Sequence, residues 1–413
     1  MARLPQSPLA RRRRFRALFL IITVAVVAAL LVSRAGTHKK AAPLAGAVKP
    51  IVPASATSTT AAPHVGLATP SSYAPGVPAN HDPNNLYYYD GAGLLSPKVA
   101  NDPPRIYVPN TESNTVSIVD PSTYKVIKTI PVGRQPQHVS PSWDLKTLWV
   151  ANDQGNTLTP INPTTGAVGA TVPVDDPYNL YFTPDGTRAV VMAEARQRMD
   201  FRDPNTMALE RSVPVPCKGL NHMDFAPDGR TAVASCEFDG HLLLIDMVNE
   251  KVLESIDVGG MPQDVKLSPD ATVYYVADMK LNGVHVIDAT TFRQLSFIKT
   301  GAGAHGLYPS RDGTKLYVSN RGEGSVSVID FATGQVVDKW VFNGGAGSPD
   351  MGGVSADGKI LWLTGRYDAE LYAISTETGK LLVPPIKVGK GPHGACVWPQ
   401  PGRYSMGHTG IFR

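Results

Sequence analysis

The chain has little charge. Asp, Glu, Lys and Arg make up 18% of its 413 residues, below the ordinary quarter, which argues against a coiled coil or a long acidic disordered chain. Acid is absent from the first 40 residues, which hold nine of the 39 Lys and Arg. The remaining 30 face 35 acids, a net of −5 downstream. The basic excess therefore belongs to the N-terminus, and a nucleic-acid partner is not expected of the rest. Catalytic signatures are missing too: no Gly-x-Ser-x-Gly elbow, Walker loop, His-Glu-x-x-His or Cys-x-x-Cys-His occurs, so no motif names a reaction. By contrast, 38 Gly and 36 Pro favour a turn-dense β architecture.

Long apolar runs are confined to Ala17–Val32, sixteen residues interrupted only by Thr23 and preceded by six Arg. This reads as a signal peptide or a signal anchor (residues 1–35). Ser33-Arg34-Ala35 is an imperfect cleavage site, and Arg12-Arg13-Arg14-Phe15 resembles a twin-arginine signal. On each reading the positive-inside rule sends the remainder out of the cytoplasm, anchored to the membrane or secreted. Residues 36–83 are rich in Ala, Pro, Ser and Thr and read as a disordered linker. The folded unit is expected over 84–413.

Two landmarks recur there. Apolar strands end at Asn110, Asn152, Glu194, Glu237, Asp278, Asn320 and Gly365, and second strands end at Asp120, Asn162, Asp203, Asp246, Asp288, Asp330 and Ser375. Both series step by 41 to 45 residues. Four short strands per step, joined by Pro-Asp-Gly and Asp-x-x-Thr-Gly turns, predict an all-β, seven-bladed β-propeller. The first blade lacks an inner strand before Ile106, and Gly394–Trp398 at the C-terminus would supply it.

Leu316-Tyr317-Val318-Ser319-Asn320 and Ile106-Tyr107-Val108-Pro109-Asn110 resemble the repeat of the YVTN-type, YncE-like seven-bladed propellers. The resemblance covers residues 104–399 and implies an extracytoplasmic address. It carries fold more than function, since the family includes binding proteins, surface-layer proteins and redox-enzyme domains.

At the start of each inner strand stands a polar residue: His138, Asn179, His222, Asp264, His305, Asp350 and His393. Where the family residue is small, these are expected at the channel mouth. One reading has them hydrogen-bonding strand ends and water. The other makes them a convergent site for a small ligand or a metal, with His138, His222, His305 and His393 as ligands and zinc, copper or iron as the ion. Glu194, Glu237 and Asp278 replace the family Asn and form a secondary acidic sector, either structural or functional. Cys217 and Cys236 fall on one face of a hairpin and are expected to form a disulfide, with metal binding beside His222 as the alternative. The function expected is that of an extracytoplasmic binding or scaffold protein for a small ligand or an envelope protein. A metal-dependent oxidoreductase or hydrolase is the alternative.

Overall fold

The computed structural model describes residues 72–82, 84–408 and 412–413. The signal or anchor segment lies outside them, as does the linker up to residue 71. No helix among the described residues is long and apolar enough to cross a membrane. Seven antiparallel sheets of four strands form the seven-bladed propeller expected from the repeat.

The two inner strands of each blade are buried on both faces, so alternate side chains serve two different blade interfaces, whereas the outermost strands are largely exposed. In Leu148–Asn152 of blade 2, Leu148 and Val150 pack with Tyr107, Val116 and Ile118 of blade 1. Trp149 and Ala151 point the other way, onto Leu180, Phe182 and Ala189 of blade 3. This double burial explains why the strands read as nearly continuous apolar runs. Each fully buried Val, Leu or Ile contributes roughly 1.5–3 kcal/mol.

Turn chemistry holds the hairpins in register. Ser142 donates to Asp144 at 2.7 Å, and the same Ser or Thr to Asp bond recurs at Thr183–Asp185, Ser268–Asp270 and Ser355–Asp357. The outer turns use Asp330 and its counterparts: its carboxylate accepts from the Thr333 N–H at 2.9 Å and hydroxyl at 3.0 Å.

Blade 1 is closed by the C-terminal strand Cys396–Trp398. It pairs antiparallel with Arg105, Ile106 and Tyr107. The interface between blades 7 and 1 is as apolar as the others, with Trp362 and Leu371 against Ile106, Val108 and Val397. No open seam remains there.

Residues 72–82, at the end of the stretch whose composition reads as linker, lie against the propeller. The Ala74 N–H donates to Asp228 O at 2.8 Å, and Arg230 Nε donates to Ser72 O at 2.8 Å. Leu86 and Tyr87 then pack between blades 4 and 5, where the Tyr87 hydroxyl donates to Leu267 O at 2.6 Å. At the other terminus, residues 399–408 fold back against the inner strand of blade 3. Phe182 N–H donates to Met406 O at 3.0 Å, and the His408 N–H donates to Leu180 O at 2.9 Å. Gly407 makes that approach possible: its φ is +85°, and a Cβ there would stand 2.3 Å from Leu180 O. The Arg413 guanidinium ends on the buried Asp224 carboxylate at 2.8 Å.

Candidate functional site

Inner strands of five blades share one irregularity. Their register slips between Pro136 and His138, Leu220 and Met223, Pro262 and Val265, Ala304 and Leu307, and Pro349 and Gly352. A bulge inserts a residue and re-aims its neighbours. Here the bulged residues include His222, Asp264, His305 and Asp350, the polar positions singled out in the sequence.

The result is a buried polar core on the propeller axis rather than an exposed ring at a mouth. His138, Asn179, His222, Asp264, His305, Asp350 and His393 are each at most 2% exposed. A fifth histidine, His408 of the C-terminal tail, joins them at 0%. The His138 ring lies 4.8 Å from His393, 5.2 Å from His408 and 5.5 Å from His222. The His222 ring is 4.7 Å from His408 and 6.2 Å from His305. Sequence reasoning passed over His408 because it follows the last repeat. Its signal was the apolar company of Tyr404, Met406 and Phe412 after the closing strand, too apolar for a loose tail.

Four of the five rings, those of His138, His222, His393 and His408, are held by hydrogen bonds at Nδ1. His138 Nδ1 bonds the Tyr178 carbonyl at 2.9 Å, so that nitrogen carries the proton and Nε2 keeps its lone pair. Asn179 lies 3.2 Å from His222 Nδ1 and 3.1 Å from His408 Nδ1 through its side-chain amide. The amide oxygen accepts from the Leu180 N–H at 3.0 Å, which turns the amide nitrogen to donate toward both Nδ1 atoms. Asp350 accepts from His393 Nδ1 at 2.7 Å, while His305 Nδ1 and Arg321 Nε approach its other oxygen at 3.1 and 3.3 Å without hydrogen-bond geometry. Asp264 accepts from the Val265 and Leu307 N–H groups and faces His408 Nε2 at 3.6 Å and Lys266 Nζ at 3.4 Å.

Burial pushes all five imidazoles below the ordinary histidine range, His138 to about 4. They are neutral at pH 7, the form that ligates metal. The candidate ligating atoms of His138, His222 and His408 all lie within 4.8 Å of one another. A tetrahedral ion with nitrogens at about 2.0–2.1 Å holds them roughly 3.4 Å apart, so small ring movements inward would complete the set. His138 Nε2 and His222 Nε2 are buried and have no hydrogen-bond partner among the described residues.

The acidic sector divides. Asn110, Asn152 and Asn320 spend their amides on the hydroxyls of the next strand, as Asn320 does on Ser325 and Ser327 at 3.0 Å. Asp278 is likewise structural, accepting from Met261 N and Leu281 N and pairing with His285 Nε2 at 3.2 Å. Glu194 and Glu237 instead sit together, close to Asp153 and Asp176, where second strands end and inner strands begin. Burial first, then the charges of Glu237, Asp153 and Asp176, push Glu194 up to about 9. Asp153 is raised to about 7, by burial and then by Asp176.

Cys217 and Cys236 form a disulfide with Cα atoms 6.0 Å apart, packed between blades 3 and 4. Neither thiol is left for a metal beside His222. Cys396 is free and buried in the closing strand.

Fold and site together define the class: a seven-bladed propeller, closed by its own C-terminus, with a histidine-lined axis. The family model of the YNCE-like beta-propeller matches residues 90–401, and the chain belongs to that family. A search of curated protein sequences finds no match. Among solved structures the chain is similar to a functionally unknown protein from Desulfotomaculum acetoxidans DSM 771, with 17% identity and TM-score 0.59 over 70% of this chain and 98% of that one. It is similar to Kuenenia stuttgartiensis hydrazine synthase, with 20% identity and TM-score 0.55 over 62% and 87%. It is also similar to the dihydro-heme d1 dehydrogenase NirN, with 15% identity and TM-score 0.55 over 81% and 79%. At these identities the likeness is one of fold.

Proposed function

We propose that this chain is an extracytoplasmic binding protein that holds a transition-metal ion inside its propeller channel, on His138, His222 and His408. One observation carries the reading: three buried, neutral imidazoles bring their nitrogens within 4.8 Å, and two Nε2 atoms lack any partner. A buried polar atom without a partner costs about 1–3 kcal/mol, a penalty that a bound ion removes. Imidazole donors without thiolate suit zinc, copper or iron. The extracytoplasmic address is supported by the arginine-flanked run Ala17–Val32 and by the Cys217–Cys236 disulfide.

A second reading, a metal-dependent oxidoreductase or hydrolase, is favoured by Glu194. A carboxyl that stays protonated to about pH 9 near the channel can serve as a general acid. Elemental analysis of untagged protein isolated from its own envelope tests the metal. The expected result is bound zinc, copper or iron, lost in His222→Ala and His408→Ala and kept in His241→Ala, which lies on blade 4 away from the axis. Absence of metal in the native protein, and after incubation with Zn(II), Cu(II) and Fe(II), would remove the proposal.

A further inference from the structure

In every blade the strand next to the innermost one ends in the same register. Its last residue pairs with the residue five positions on, as Asn152 does with Thr157, Cys236 with His241, Asn320 with Ser325 and Gly365 with Glu370. The residue that follows therefore occupies an equivalent place around the axis each time. Blades 2, 3 and 4 put Asp153, Glu194 and Glu237 there, whereas blades 6 and 7 put Arg321 and Arg366. Met279 of blade 5 and Thr111 of blade 1 separate the two groups. In a ring of seven, blade 3 faces the gap between blades 6 and 7. An acidic arc thus looks across the mouth at a basic one.

The arcs do not neutralise each other: among the described residues no ion pair joins them. Arg366 Nη1 donates to Thr111 Oγ1 at 3.4 Å and to Gly391 O at 3.2 Å, and no carboxylate pairs with it. Arg321, its side chain 10% exposed, gives Nη2 to Met279 Sδ at 3.1 Å and leaves Nε without a hydrogen bond. Across the mouth, Glu194 Oε1 is buried and unpartnered. Gln137, 5% exposed, bonds Asp153 through its side chain and leaves its carbonyl Oε1 buried and unpartnered as well. Buried polar atoms are seldom left unpaired without a reason. A carbonyl oxygen that lacks a donor, set beside carboxyl groups, suits an ammonium, which only donates. Guanidinium groups without a hydrogen-bonded carboxylate suit one arriving from outside. Tyr178 stands between the arcs and covers the histidines, its ring 5.3 Å from His138 and its hydroxyl 3.5 Å from His393 Nε2.

We infer that the channel mouth binds a small zwitterion, its ammonium on Gln137, Glu194 and Glu237 and its carboxylate on Arg321 and Arg366. The ligand class is a primary amine and a carboxylate on one short carbon chain. Each charged end meets groups of the opposite sign that the protein leaves uncompensated, and a ligand with one charge alone satisfies half of the site. The site lies one layer outside the histidines and does not require a metal in the channel.

The test is calorimetric titration of the full-length chain with the unbranched amino acids from glycine to 6-aminohexanoate, with acetate and methylamine as half-ligands. At least one zwitterion should bind once per chain, at least tenfold tighter than either half-ligand. Arg366→Gln and Glu237→Gln should each weaken it at least tenfold with metal content unchanged. Arg366→Lys, which keeps the charge, should weaken it less than Arg366→Gln, a difference that a folding defect would not produce. Affinity should be the same after a chelator has stripped the protein of metal. Acetate or methylamine binding as tightly as every zwitterion, or an affinity that Glu237→Gln leaves unchanged, would overturn the zwitterion site. Binding that disappears with the metal would put the ligand on the ion and overturn it too, as would no binding by any member of the series. The metal proposal stands or falls separately, on the elemental analysis.

Discussion

The backbone of Gly394 lies directly against the imidazole of His138: a Cβ at position 394 would stand 2.1 Å from His138 Cδ2. The same glycine accepts from the Val139 N–H at 3.1 Å and donates to Gln137 O at 2.9 Å. The segment that closes the ring and the ring that points a nitrogen down the axis therefore share one contact. Closure of the fold and assembly of the site are one event in this region.

Gly394→Ala should accordingly push His138 out of place. Overpacking of this kind costs about 1–3 kcal/mol. The variant should melt lower and bind less metal, while His241→Ala changes neither. Normal metal content in Gly394→Ala would mean that His138 is not a ligand.

The C-terminal tail gives a second test. Arg413→Ala leaves the buried Asp224 carboxylate without its guanidinium, a loss of about 3–5 kcal/mol. Deleting residues from Ser405 onward removes His408 as well, so metal content should fall together with stability. Denaturant unfolding and elemental analysis of the two variants separate the effects: Arg413→Ala should lose more stability than metal.

Glu194 makes stability depend on pH. The folded chain holds its proton up to about pH 9, whereas an unfolded glutamate releases it near 4.3. Between these values the native state binds more protons than the unfolded state, so stability falls as pH rises from about 5 to 9. Glu194→Gln, which is neutral throughout, should flatten that slope in denaturant titrations at pH 5, 7 and 9. An unchanged slope would mean that Glu194 ionises normally.

Cys217→Ser with Cys236→Ser opens a loop of 19 residues in sequence separation. The entropy model assigns such a loop about 3 kcal/mol. Melting should drop while metal content stays constant, because neither sulfur reaches the axis. Loss of metal in the double variant would revive thiolate ligation beside His222.

Architecture was legible in the sequence because it is repetitive. Two landmark series kept step, and the inner strands, buried on both faces, read as short apolar runs. The bulged positions were legible one blade at a time: His222 and Asp264 stand where small residues are usual. Their depth was not. Burial on the axis depends on how seven inner strands crowd together, and no single repeat encodes that. His408 was hidden for a related reason. It lies past the last repeat, and only the chain's return along Leu180 and Tyr181 brings it to His222. Asp278 could not be told apart from Glu194 and Glu237 in the sequence, because Asp and Glu look alike at that landmark. The presence of His285 on the adjoining strand decides its role, and that pairing is seen only in the folded blade.

X-ray absorption spectroscopy at the metal edge of the native protein tests the central claim most directly, since it counts and identifies the donor atoms. A transition-metal ion ringed by at least three imidazole nitrogens at about 2.0–2.1 Å, with no sulfur neighbour, is the predicted result. A spectrum dominated by sulfur or by carboxylate and water oxygens, or a protein that retains no metal from its own envelope, would contradict the account.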